Sequence, residues 1–144
     1  MGGTRIAVIH QQNILYIAFR GSAGTNDWRD NTHLGLVDLP GQEGGAKVHR
    51  GFNERAERII KDVIFYGSLL SPEKTIVLTG HSLGAALSQV VYIQLKDYIK
   101  SKTNSKIINI SFGGPMVGNS ALRRQLGEDK TSGSGHWVFV LLSL

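Results

Sequence analysis

Hydrophobic and polar positions along the chain follow two periods, and the change from one to the other divides it into strands and helices. Residues 5–10 and 14–19 are apolar, β-rich runs joined by Gln11, Gln12 and Asn13, which reads as a hairpin. Residues 34–39 alternate, the pattern of a short strand with one exposed face. From Phe52 the period becomes helical. Phe52, Ala56, Ile59, Ile60 and Val63 recur on one side, with Glu54, Arg55, Glu57, Arg58 and Lys61 on the other, so an amphipathic helix is expected to about Leu70. Residues 71–74 form a turn. Residues 75–79 are β-branched or Leu and carry no charge, which suits a strand buried on both faces of a parallel sheet. Leu87, Val91 and Leu95, with Val90 and Tyr98 beside them, mark the buried face of a helix over residues 83–100. A polar loop leads to a strand at 107–112, which Gly113, Gly114 and Pro115 break. Asn119 is a fair N-cap for a short helix at 120–126. After the Gly/Ser-rich residues 127–135, residues 137–142 are apolar throughout, too short to cross a bilayer, and read as a last strand. This alternation predicts an α/β fold: a mostly parallel sheet with flanking helices and an antiparallel edge made by the first hairpin.

Composition narrows the classes. At 144 residues the chain makes one domain at most, and 41% hydrophobic with 19% charged residues is neither disordered nor membrane-spanning. Sixteen basic residues against eleven acidic leave +5, which favours anionic surfaces such as phospholipid headgroups. The basic residues are scattered with no interleaved aromatics, so nucleic acid is not indicated. There is no cysteine, which excludes disulfides, thiol catalysis and Cys-based zinc sites. No His-x-x-x-His or Glu-x-x-His spacing points to a metal. The first ten residues lack the apolar core of a secretory signal, and position 6 is Ile where an N-myristoylation motif needs Ser or Thr. Gly41, Gly44 and Gly45 lie in a surface loop, since no Lys-Ser/Thr follows them. Asn109-Ile110-Ser111 is formally a glycosylation sequon, discounted because it falls in a strand expected to be buried.

The candidate chemistry sits at the end of the 75–79 run. Gly80-His81-Ser82-Leu83-Gly84 fits G-x-S-x-G between a strand and a helix, the setting of a nucleophile elbow. In that reading Ser82 is the nucleophile and the backbone N–H of Leu83 is an oxyanion donor. The plainer reading is a strand-loop-helix corner with Ser82 capping the helix.

Four separated pieces, in order, then carry a family resemblance. They are Phe19-Arg20-Gly21-Ser22 followed by Asp27, Trp28 and Asn31; Val48-His49-Arg50-Gly51-Phe52; residues 79–87 around Ser82; and residues 112–119, Phe-Gly-Gly-Pro-Met-Val-Gly-Asn. Over about residues 5–126 the chain resembles the fungal-type, or class 3, triacylglycerol lipases of the α/β-hydrolase fold. The resemblance implies a serine ester hydrolase that cleaves acylglycerols or related lipid esters through an acyl-Ser82 intermediate. It implies Ser22 as the second oxyanion donor, through its N–H and hydroxyl. It implies a lid over residues 23–39, with Trp28 at a lipid surface and Asn31 holding the Ser22 side chain. Trp28 fits a packed core aromatic as well, and Asn31 a cap or turn. His49 and His81 are expected to be structural, and His10 and His33 solvated. No cofactor is implied.

The chain also departs from the family. The triad order is Ser, then Asp or Glu, then His. In relatives the Asp follows the strand after the Pro-x-Val-Gly-Asn helix, and the His comes later. Here that strand is 137–142 in a chain of 144 residues, and Asp129 and His136 both precede it. The expectation is therefore a single partial domain over 1–144, truncated at both ends, with 127–144 an atypical tail and hydrolysis impaired for want of the triad Asp and His. Met116 stands where relatives carry Arg. The alternatives are a non-catalytic lipid-binding or regulatory protein and a feruloyl-type esterase.

Overall fold

A computed structural model describes residues 5–21, 35–39, 41–42, 44–68, 75–103, 105–128 and 137–140. Strands β1 (Ile6–Gln11) and β2 (Ile14–Phe19) form the expected antiparallel hairpin, with Ile6 opposite Phe19. Two three-residue strands follow, β3 (Leu36–Asp38) and β4 (Lys47–His49), paired antiparallel as a separate small sheet. Helix α1 (Arg50–Ser68) leads to β5 (Thr75–His81), α2 (Leu83–Lys102), β6 (Lys106–Phe112), α3 (Ser120–Glu128) and β7 (Trp137–Val140). The main sheet has the order β1-β2-β5-β6-β7. Within this sheet, among the described residues, only the β1–β2 pair is antiparallel; β5 lies parallel between β2 and β6, and β7 parallel to β6.

The uncharged run of β5 explains its central place. Ile76, Val77 and Leu78 are buried in succession, so both faces of the strand are covered. Helix α2 supplies one cover, packing against β5 and β6, and α1 packs against α2 in turn. Every residue of α2 from Leu83 to Ile93 is buried, more than the single face marked by Leu87, Val91 and Leu95. Gly84, Ala85, Ala86 and Ser88 make this feasible, because small side chains let a sheet and a second helix both approach. Tyr98 departs from expectation. It is 42% exposed, because Ile99, four residues after Leu95, takes the buried position in the last turn.

Strand β4 was not foreseen, and beyond β3 its second partner is distant in sequence. Val48 bridges to Gly118, and the His49 N–H donates to the Val117 carbonyl at 2.9 Å. Asn119 fastens this join. Its Oδ1 accepts from the N–H of Lys47 and of Leu122, each at 3.0 Å, and its Nδ2 donates to the Gly45 carbonyl at 2.9 Å. The expected N-cap of α3 is thus also a cross-link to β4.

Asn119→Ala removes all three bonds. It is expected to cost about 2 kcal/mol, the upper end for a lost cap. Asn119→Asp keeps the acceptor and should cost less. Urea unfolding midpoints of the two variants check the order.

Candidate active site

The chain leaves β5 at His81 and enters α2 at Leu83, so Ser82 alone makes the turn. It does so with φ 54° and ψ −119°, in the left-handed half of the map that a side chain normally avoids. Such a residue costs about 1–3 kcal/mol and persists only where its surroundings impose it. They do so from both sides. The Ser82 N–H donates to the Phe112 carbonyl at the end of β6, at 3.0 Å. Its carbonyl accepts from the N–H groups of Ala85 and Ala86 at 3.1 and 3.2 Å.

Two glycines allow the approach. A Cβ on Gly80 would overlap the Gly84 carbonyl and lie 2.7 Å from the Ala85 nitrogen. A Cβ on Gly84 would overlap the Phe19 carbonyl and lie 3.1 Å from the Gly21 nitrogen. The first lets α2 start against β5, and the second lets the end of β2 pass over that start. Phe19, Arg20 and Gly21 therefore lead across the turn. Ser22 comes next in the chain but lies outside the described residues, as do Asp27, Trp28, Asn31, His33, Asp129 and His136.

The Ser82 side chain is exposed and makes no capping hydrogen bond with α2. A capping serine would spend its oxygen on an N–H of the first turn; this one keeps it in the open. The N–H groups of Leu83 and Gly84 open the helix, where no preceding turn offers a carbonyl, and the dipole adds partial positive charge there. An exposed hydroxyl beside preorganised N–H donors is an arrangement suited to acyl transfer.

Three histidines fall among the described residues, and none is hydrogen-bonded to the Ser82 hydroxyl. His10 is exposed near the end of β1. His81 is exposed, with its ring over Gly113: a Cβ there would sit 3.6 Å from its Nε2. His49 is partly buried on β4, edge-to-face with Phe52 at 6.1 Å, and its Nδ1 is buried without a hydrogen-bond partner. Burial disfavours the imidazolium and lowers its pKa below the usual 6.5. Among the described residues no cluster of three or more His, Asp or Glu could hold a metal, and no helix is long and apolar enough to cross a membrane.

Beneath the turn lies a polar layer that the sequence reading passed over. Asn109 Nδ2 donates to Ser111 Oγ at 2.8 Å, Ser111 Oγ meets Ser88 Oγ at 3.0 Å, and Ser88 Oγ donates to the Ala85 carbonyl at 2.9 Å. The signal was present in β6, where Asn109 and Ser111 share the parity of the buried Ile107.

A family model described as Lipase (class 3) matches residues 16–139. LIH1 of Saccharomyces cerevisiae is 31% identical over 147 residues, which cover 89% of this chain and 43% of that protein. The secreted mono- and diacylglycerol lipase LIP2 of Malassezia restricta is 30% identical over 129 residues, 80% of this chain and 39% of its own. Among solved structures, a lipase from Rhizopus microsporus var. chinensis superposes with a TM-score of 0.71 at 26% identity, covering 94% of this chain and 48% of that one. The chain thus spans about two fifths of the length of these curated relatives.

Two outcomes follow from the geometry. Ser82→Gly relieves the positive φ and should raise stability by about 1 kcal/mol, the low end of the strain range, read from urea unfolding. For His49 the folded pKa lies below the unfolded one. The unfolded chain therefore takes up a proton first as pH falls, so the stability from neutral His49 is complete above 6.5 and is lost between 6.5 and the lowered folded value. His49→Gln should lose less stability than the parent between pH 7 and pH 5.

Proposed function

Because the chain belongs to the class 3 lipase family and has its α/β-hydrolase fold, we propose that Ser82 is the nucleophile of a serine ester hydrolase acting on acylglycerols or related lipid esters. The observation that carries this is the strained, exposed, non-capping Ser82 between a central strand and a buried helix. Its oxygen attacks the ester carbonyl carbon while its proton passes to a base. The tetrahedral intermediate collapses with the alcohol leaving protonated, and water releases the acid from the acyl-serine. Leu83 supplies one backbone donor to the oxyanion. Ser22 supplies the second, a role supported by the path of Phe19 to Gly21 over the elbow. The lipid class follows from the relatives' names, and a lipid surface is the natural partner for such substrates.

The base is the part that no described residue provides. None of His10, His49 and His81 is hydrogen-bonded to the Ser82 hydroxyl, and Asp129 and His136 precede β7, whereas in relatives the triad Asp follows that strand. In another hydrolase, loss of the base removes roughly a million-fold in turnover. The 144 residues alone are therefore expected to hydrolyse 4-nitrophenyl butyrate only at background rate. That same observation favours a second reading, a lipid-binding protein that keeps the scaffold without the reaction. The two separate on one experiment: treat the natural polypeptide carrying this sequence, and its Ser82→Ala variant, with a fluorophosphonate probe. A covalent adduct that vanishes with Ser82→Ala is expected; an unlabelled parent would leave the binding reading in its place.

A further inference from the structure

The buried row of Asn109, Ser111 and Ser88 is more polar than a sheet-helix contact requires. The three are 0, 2 and 0% exposed. Apolar residues of the same shape would pack there at little cost, since only an unpaired polar partner carries a large penalty. The bonds of this row run in a single direction. Ser88 has one hydroxyl proton and uses it on the Ala85 carbonyl, so in the 3.0 Å contact between the two serines the donor is Ser111. Ser111 in turn accepts from Asn109.

The direction continues through the backbone. The Ala85 carbonyl belongs to the peptide whose N–H is that of Ala86, and this N–H donates to the Ser82 carbonyl at 3.2 Å. The Ser82 carbonyl belongs to the peptide whose N–H is that of Leu83. We infer that Asn109, Ser111 and Ser88 are positioning residues: a hydrogen-bond relay from β6, through two peptide units of α2, that orients and polarises the Leu83 N–H as an oxyanion donor. The inference rests on the reading of Ser82 as nucleophile and Leu83 as its donor. Each donor in such a row strengthens the next by about 10–30%. The row is also mechanically closed. Ser111 adjoins Phe112, whose carbonyl holds the Ser82 N–H, so one short stretch of β6 grips the elbow before and after its reactive residue.

The test uses the natural polypeptide carrying this sequence and an alkyl fluorophosphonate, whose phosphoryl oxygen gains negative charge as Ser82 attacks. The inactivation constant kinact and the binding constant KI are measured for the parent, Ser111→Ala, Ser88→Ala, the double variant and Ser111→Thr. A relay predicts kinact lowered by roughly two- to eightfold in either alanine variant, which is 10–30% of the hundred- to thousandfold cost of losing an oxyanion donor taken as a free energy. KI should be unchanged. The double variant should be no worse than either single, because both break one path. Ser111→Thr keeps the hydroxyl and should keep the parental kinact. Loss of folded protein lowers the final labelled fraction instead of kinact, and Ser88→Ala serves if Ser111→Ala does not fold. Parental kinact in both alanine variants of a labelled protein overturns the relay alone. A parent that is not labelled at Ser82 overturns the reading of the nucleophile and the relay with it.

Discussion

One backbone conformation governs this structure: Ser82 at φ 54°. A strand that turned into a helix through an ordinary loop would need neither glycine neighbour nor precise strand order. Here the turn takes one residue, so α2 must begin in contact with β5, and β2 must end in contact with α2. Gly80 and Gly84 are the two positions where a side chain would prevent those contacts. The strain is held by Phe112 on one side and by Ala85 and Ala86 on the other.

Much of this was legible in the residues. The hairpin, β5, α2 and β6 carry their own period, and their burial follows from local pattern because each covers or is covered by a sequence neighbour. The elbow was legible for the same reason, since glycine-serine-glycine spacing and its flanking elements lie within one short stretch. Strand β4 was not. Three residues hold no period, and while its pairing with β3 is near in sequence, the join to Val117 to Asn119 on the other edge spans a separation that a local window does not cover. Asn119 was visible as a cap, but its bonds to Lys47 and Gly45 were visible only in three dimensions. Tyr98 shows the limit of periodicity: helical spacing tolerates either Tyr98 or Ile99 on the buried stripe, and packing selects Ile99.

The site divides in the same way. Ser82 and Leu83, the proposed nucleophile and oxyanion donor, lie on the elbow and are legible from its local pattern. Ser88 and Ser111 were missed because polar residues in an apolar face look like dilution until the bonds are drawn. In the sequence Asn109 and Ser111 stand out only as ends of a glycosylation sequon, and both are buried. His49 gives a contrasting case. It belongs to a conspicuous motif, yet its neutral, desolvated ring packs on Phe52, so its contribution is to the join between β4 and α1.

The parallel pairing around Ser82 also bears on how the chain assembles. The elbow touches Phe19 and Phe112, which lie on strands reached only after long stretches of intervening chain. Closing such loops is slow compared with forming a helix or a hairpin, because chain entropy is surrendered before the contacts form. The left-handed residue has its α2 partners Ala85 and Ala86 at hand, but its N–H lacks the Phe112 carbonyl until β6 has docked, and until then its ordinary backbone conformations are the cheaper ones. The strained turn is therefore held in full, and the hydroxyl kept in the open, only in a molecule whose β6 already lies against β5.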